Sequence, residues 1–217
     1  MFRDGFLQMG TWRNIPLRVH WSTPLGALFF GRFEFVPVFW LAFFLLILFH
    51  EMGHALVVRR LGGTVYSLDV SAFGGLCRWA GHVSPIGRAC IAWGGVWAQL
   101  LLFAGTQVAI AVHGAPTTLS MGHLVHAFTV TNWWIMLLNL IPVPPLDGAE
   151  AWRLFPLLHY HWQRKRSARR AARAKAKLLR YSKQLGDIEA RLGEPATEIN
   201  ATVAELFAEL KNERYKH

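Results

Sequence analysis

Apolar residues run without a charge from position 35 to 49, meet His50 and Glu51, and then continue to Val58. A stretch of that length and character predicts a membrane-spanning helix over residues 37–58. Between Arg88 and Asp147 there is no Asp, Glu, Lys or Arg, room for two more spans of ~20 residues, placed at 89–112 and 123–141. An earlier span, at 21–33, is short and interrupted by Gly and Pro. Residues 62–70 and 72–76 combine β-branched and aromatic side chains with flanking glycines, which predicts strands. Extended backbone at membrane depth is tolerated only where protein covers it or where it lines a wet cavity. These strands are read as a small sheet dipping into the bilayer beside the 37–58 helix, with a plain cytoplasmic hairpin as the alternative. After Trp162 the pattern becomes that of soluble helix. Leu178, Leu185, Leu192, Ile199 and Leu206 recur every seven residues, interrupted at 193–195. Two short amphipathic helices packed on each other are expected, and dimerisation through the seam is the alternative.

The predicted fold class is therefore an α-helical polytopic membrane protein. It has about four transmembrane helices, a small membrane-associated β-segment and a cytosolic helical tail. Residues 1–19 form an N-terminal cytosolic segment, 20–161 the membrane core and 162–217 the tail.

Composition agrees: 53% hydrophobic and 17% charged residues among 217 is too apolar and charge-poor for an ordinary soluble domain. Residues 1–18 alternate charges with single apolar residues, so no cleavable signal is read there. The net charge of +10 is concentrated at 164–183. No base-stacking aromatic pattern accompanies that run, so no nucleic acid is expected as a partner. Following a membrane domain, it marks the cytoplasmic side and meets anionic lipid headgroups. Arg3, Arg13, Arg18, Arg59, Arg60 and Arg88 fall on that same side for an even number of spans, with Arg32 the exception. Both termini are then cytoplasmic, and the protein is a multi-pass integral membrane protein of a bacterial-type cytoplasmic membrane. Cys77 and Cys90 lack zinc-type spacing and are read as two free thiols, a disulfide being the alternative.

Candidate chemistry sits inside the 37–58 span. His50-Glu51-Met52-Gly53-His54 is H-E-x-x-H, which on a helix puts two imidazoles one turn apart on one face, able to share a zinc ion. The glutamate beside them can act on a water at the metal. An ionised group at the centre of a span costs ~2.5–3.5 kcal/mol on insertion scales, so it marks function. A catalytic zinc needs a third protein ligand. Asp147 follows Asn139-Leu140-Ile141-Pro142-Val143-Pro144-Pro145-Leu146, where three prolines force the chain to unwind. Taken alone, Asp147 would be read as the N-cap of a following helix.

Together the two motifs, H-E-x-x-H and N-x-x-P-x-P-x-x-D-G, resemble those of the site-2 proteases, the intramembrane zinc metalloproteases. The resemblance covers roughly residues 20–158. Val19-His20-Trp21 and Ala72-Phe73-Gly74-Gly75 also look like that family, especially its short branch that processes sporulation sigma-factor precursors. It implies one zinc per chain held by His50, His54 and Asp147, with Glu51 as catalytic base. It further implies that Asn139 helps hold substrate or transition state, and that Phe73, Gly74 and Gly75 contact substrate. The partner implied is a membrane protein substrate. The third span departs from many relatives: where they carry Gly-Pro and then Asn, this chain has Gly94-Gly95-Val96-Trp97-Ala98-Gln99, with Ala98 or Gln99 near the asparagine position.

Other histidines are read as interfacial: His20, His82, His113, His123, His126, His159 and His161. Gly94, Gly95 and Gly105 are read as permitting close helix approach. Two other functions remain open, a catalytically silent relative that binds membrane helices as a scaffold, and a divalent-metal transporter.

Overall fold

The computed structural model describes residues 2–3, 5–72, 74–192 and 197–213. They divide into two compact units, residues 1–158 and 159–217. The first is built around a helix and a sheet. Helix α2 (Pro37–Arg60) opens on a proline, whose missing N–H is tolerated in the first turn, and closes on Arg59 and Arg60, cations suited to a helix C-terminus. Helix α3 (Pro85–His113) also begins on a proline, with the Ser84 hydroxyl accepting from the Gly87 backbone N–H at 3.1 Å. Among the described residues, these are the two helices long and apolar enough to cross a membrane. Leu101 on α3 is an apolar side chain left 73% exposed.

The two helices approach closely because both carry glycine at the crossing. A Cβ on Gly94 would lie 2.7 Å from the Gly53 carbonyl oxygen, a separation real side chains do not adopt. The expected close-approach role of Gly94 is met, whereas that of Gly105 is corrected, since a Cβ there would meet nothing within 4 Å.

The predicted 123–141 span is a helical run over residues 119–139. It comprises α4 (Leu119–His126), a π-helical turn (Ala127–Thr131) and α5 (Asn132–Asn139), and helical backbone continues through both junctions. The predicted 21–33 span is corrected. Only α1 (Thr23–Phe30) forms there, eight residues long and ended at Gly31, with Arg32 and Phe33 at positive φ. Eight residues at ~1.5 Å each cannot cross ~30 Å of hydrocarbon.

The sheet is larger than expected. The predicted pair of strands is β4 (Thr64–Ser71) and β5 (Gly74–Ala80), but β1 (Phe2–Arg3), β2 (Phe6–Trp12) and β3 (Ile15–His20) extend it to order β1-β2-β3-β4-β5. The N-terminal segment is thus part of the core fold. Neighbours are antiparallel except β3 and β4, which run parallel in the register Leu17↔Leu68 and Val19↔Val70. Parallel neighbours need a crossover connection, supplied here by α1 and α2. One sheet face buries Ile15, Leu68 and Val70 with Phe43, Leu46 and Ile47 of α2. Asp69, 2% exposed, accepts from Arg18 Nε (2.7 Å) and Nη2 (2.6 Å) and from Arg78 Nε (2.9 Å), tying β3, β4 and β5 together.

The second unit is helical. Helix α7 (Leu154–Leu192) is one continuous helix of 39 residues, longer than expected, because Pro156 falls in its first turn and strong helix formers fill the rest. Helix α8 (Thr197–Glu213) follows, and the predicted interruption at 193–195 lies outside the described residues. Arg164, Arg166 and Lys177 lie over the rings of Tyr160, Trp162 and Tyr181.

Candidate metal centre

One helical turn separates His50 from His54, and both side chains are buried against α3. Their Nε2 atoms stand 3.0 Å apart. The turn after α5 brings Asp147 to them, its Oδ2 2.8 Å from His50 Nε2 and 3.2 Å from His54 Nε2. Asp147 is the N-cap residue of α6 (Gly148–Ala151), yet its side chain caps nothing and points at the imidazoles instead. Gly148 permits the tight turn, since any Cβ there would strike the carbonyls of Leu140 and Ile141.

The donor set fits a small divalent ion. Tetrahedral bonds of 2.0–2.2 Å from N and O ligands span edges of about 3.3–3.5 Å, so ligands at 2.8–3.2 Å need separate by only a few tenths of an ångström. Among the described residues this is the one group of His, Cys, Asp or Glu so arranged. Both far ring nitrogens are held. His54 Nδ1 lies 2.7 Å from the Ile91 carbonyl, which can only accept, so that nitrogen carries the proton and Nε2 is free to bind a metal. His50 Nδ1 lies 3.0 Å from Gln99 Oε1. Gln99, one of the two residues near the asparagine position of relatives, thus lies beside His50.

Burial opposes ionisation of Asp147, but the neighbouring His50 and His54 imidazoles outweigh it and hold the carboxyl below the ordinary carboxylate range. Cys77 is different: burial, reinforced by the Glu51 and Asp69 charges, pushes its thiol up to about 12. It is not among the converging side chains. Neither it nor Cys90 is in a disulfide.

Glu51, 3% exposed, faces β5 at Gly75. A cavity of about 760 Å³ opens over Glu51, the three ligand side chains, Gly74, Gly75 and Asn139. A Cβ on Gly75 would sit 2.5 Å from Glu51 Oε1, so glycine is what leaves the carboxylate room. The predicted site residues Glu51, Asn139, Gly74 and Gly75 thus share one cavity with the ligands. Phe73 lies outside the described residues. His20 is elsewhere, between the rings of Phe6 and Trp21 with Nδ1 2.7 Å from the Ser22 hydroxyl.

Gly95 has a role beyond helix approach. A Cβ there would lie 2.6 Å from Nε2 of both histidines, inside the space a metal would use. Gly95→Ala should cost most of the bound metal in purified protein while Gly105→Ala, in open space on the same helix, should cost none. Full metal content in Gly95→Ala would show that α3 can move away.

No family model matches the chain. Rip3 of Mycobacterium tuberculosis, designated a zinc metalloprotease by its name, is 30% identical over 188 residues in both strain Erdman and strain H37Rv. The match covers 77% of this chain and 48% of Rip3, so the chain spans about half the length of the curated relatives it matches. In fold, it is similar to the site-2 protease from Methanocaldococcus jannaschii, with a TM-score of 0.55 at 19% identity over 69% of this chain and 71% of that one.

Proposed function

We propose that this chain, which belongs to the site-2 protease family, is an intramembrane zinc endopeptidase that cleaves a membrane-spanning or membrane-associated protein. The observation that carries the reading is the convergence of His50, His54 and Asp147 in one cavity with the Glu51 carboxylate. Those three side chains would hold zinc, which when bound supplies Lewis acidity that makes hydroxide available near neutral pH and polarises a carbonyl. The Glu51 carboxylate accepts the proton of the attacking water and returns it to the leaving amine nitrogen. The Asn139 side-chain amide donates to the developing oxyanion. Asn139→Ala should keep zinc and lose roughly 10²–10³-fold in rate on a defined substrate, and unchanged turnover would reduce it to a packing residue.

A substrate helix protects its own peptide bonds, so it must be held extended. Strand β5 ends the sheet, and Gly74, Gly75, Leu76 and Cys77 line the cavity over Glu51. Substrate adding there as a further strand would present its backbone to the base and the metal.

The same geometry supports a reading of the topology. Strand β3 is parallel to β4, which turns back along α2 after residue 63, so β3 climbs from the α2 C-terminus towards its N-terminus and α1 completes the climb. Six strand residues at ~3.3 Å and eight helical ones at ~1.5 Å reach about 30 Å, the thickness of the hydrocarbon core. The first crossing is then a strand and a short helix, and the run 119–139 is the last. The C-terminus is then cytoplasmic, with the basic α7 face on anionic headgroups, a contact that should weaken as salt rises. Reporter fusions after Arg60 and His161 should read cytoplasmic, and fusions after Arg32 and Pro116 the opposite side. An outward report at Arg60 would overturn this arrangement.

Comparing the membrane proteomes of cells carrying the wild-type chain and Glu51→Gln tests the function. A single-pass protein should accumulate uncleaved in the variant. Stoichiometric zinc with no membrane protein changed would favour the silent scaffold, and loosely held, exchanging metal would favour a transporter.

A further inference from the structure

The apolar seam of the helical tail takes no part in the reading above. On α7, Leu178, Tyr181, Leu185, Ile188 and Leu192 alternate spacings of three and four residues, which puts them on one face. On α8, Ile199, Val203, Leu206 and Leu210 keep the same alternation. A single chain covers this seam only in part. Leu178, Leu185 and Val203 are half-buried, but Tyr181 is 41%, Ile188 45% and Leu206 39% exposed, with the neighbouring Phe207 at 53%. The two stretches match in length, residues 178–192 spanning about 21 Å and α8 about 25 Å. Two helices bury one stripe against each other but cannot enclose a core, whereas four can.

We propose that the tail is a self-association surface whose partner is a second copy of this chain, the C-terminal half of α7 and α8 of each copy forming a four-helix bundle. Charge selects that partner. Helix α7 carries eleven Lys or Arg against Asp187 and Glu189, whereas α8 carries Glu198, Glu205, Glu209 and Glu213 against Lys211 alone. Each copy thus offers one basic and one acidic helix, so the surface is complementary to itself, as a two-fold interface requires. Only residues 193–196 separate the helices, and a connection that short makes them antiparallel neighbours in the bundle. Two copies then alternate α7, α8, α7, α8 around the core, each basic helix lying between two acidic ones and the two α7 helices kept diagonal. Heptad position puts Lys177 of α7 and Glu209 of α8 at the same flank of their seams, where antiparallel helices bring opposite charges together. A bilayer surface is the competing cover for exposed Tyr, Ile and Phe side chains, but anionic headgroups repel the four glutamates of α8. Most of the basic run precedes Leu178, so one helix serves both the headgroups and the bundle.

The test is independent of zinc and of cleavage. Full-length protein in detergent is sized by light scattering over a dilution series, and the same chains are treated with an amine-reactive cross-linker in isolated membranes. The wild-type chain should have twice its monomer mass of 24.6 kDa and cross-link to a doubled band. Ile188→Asp and Phe207→Asp should each raise the dimer dissociation constant by at least about 100-fold, because a symmetric assembly buries the unpaired carboxylate twice. Both positions are exposed in one chain, so helicity by circular dichroism should stay at the wild-type level, which separates lost association from unfolding. Leu179→Asp, 61% exposed and off the seam, should leave the dimer intact. A wild-type chain monomeric at every concentration and in membranes would overturn the proposal, as would a dimer unchanged in both seam variants or equally lost in Leu179→Asp. A cross-linked band of another mass would assign the seam to a different protein. A monomeric chain in which Ile188→Cys is shielded from a water-soluble maleimide in membranes but not in detergent would assign it to the bilayer.

Discussion

Glu51→Gln should stop cleavage while leaving zinc in place. The substitution keeps the shape and burial of a side chain enclosed by α2 and β5, and it removes only the ability to take up and return a proton. Loss of a general base is typically worth 10²–10⁴-fold, and the proton here must be both accepted and redelivered, so the rate should fall by at least about that factor. Zinc should remain near one per chain, since Glu51 is not among the three converging ligand atoms. The measurement is metal content and single-turnover cleavage on the same preparation. Activity near wild type would remove Glu51 from the mechanism and leave the cavity without a base.

Asp147→Ala should lose zinc and activity together. Two imidazoles alone fall short of the three protein ligands usual for a catalytic zinc. The structure separates this effect from unfolding, because the Asp147 side chain makes no capping bond to α6 and its removal costs that helix none. Purified Asp147→Ala should therefore show a thermal transition close to that of metal-free wild type, with little zinc bound. Full zinc and full activity would mean that the third ligand lies elsewhere.

How much of this was legible beforehand follows from the range of each interaction. His50, Glu51 and His54 are four residues apart at most, and the helix period alone puts the two imidazoles on one face. Asp147 could be read only jointly: alone it is a helix cap, and it is indeed at an N-cap position, with its side chain turned elsewhere. The N-terminal strands escaped because Arg3, Arg13 and Arg18 look like a solvated flank. Arg18 is instead consumed by Asp69, 51 positions away, and its strand pairs with β4 across an intervening helix pair. The span expected at 21–33 failed for a related reason: a window that searches for one helix has no template for a strand of six residues followed by a helix of eight.

The sequence by itself determined two membrane-length helices, two of the strands, the pair of imidazoles one turn apart, the carboxylate beside them and, by its likeness to a family, the aspartate that joins them. These are local periodicities and short motifs, fixed by neighbouring residues. Only the tertiary structure decided that Gly95 keeps the space between the imidazoles empty, that Gln99 rather than Ala98 backs His50, and that Gly75 makes room for the Glu51 carboxylate. Each of those depends on how one backbone approaches another. A glycine facing a histidine across two helices is indistinguishable, along the chain, from a glycine facing lipid.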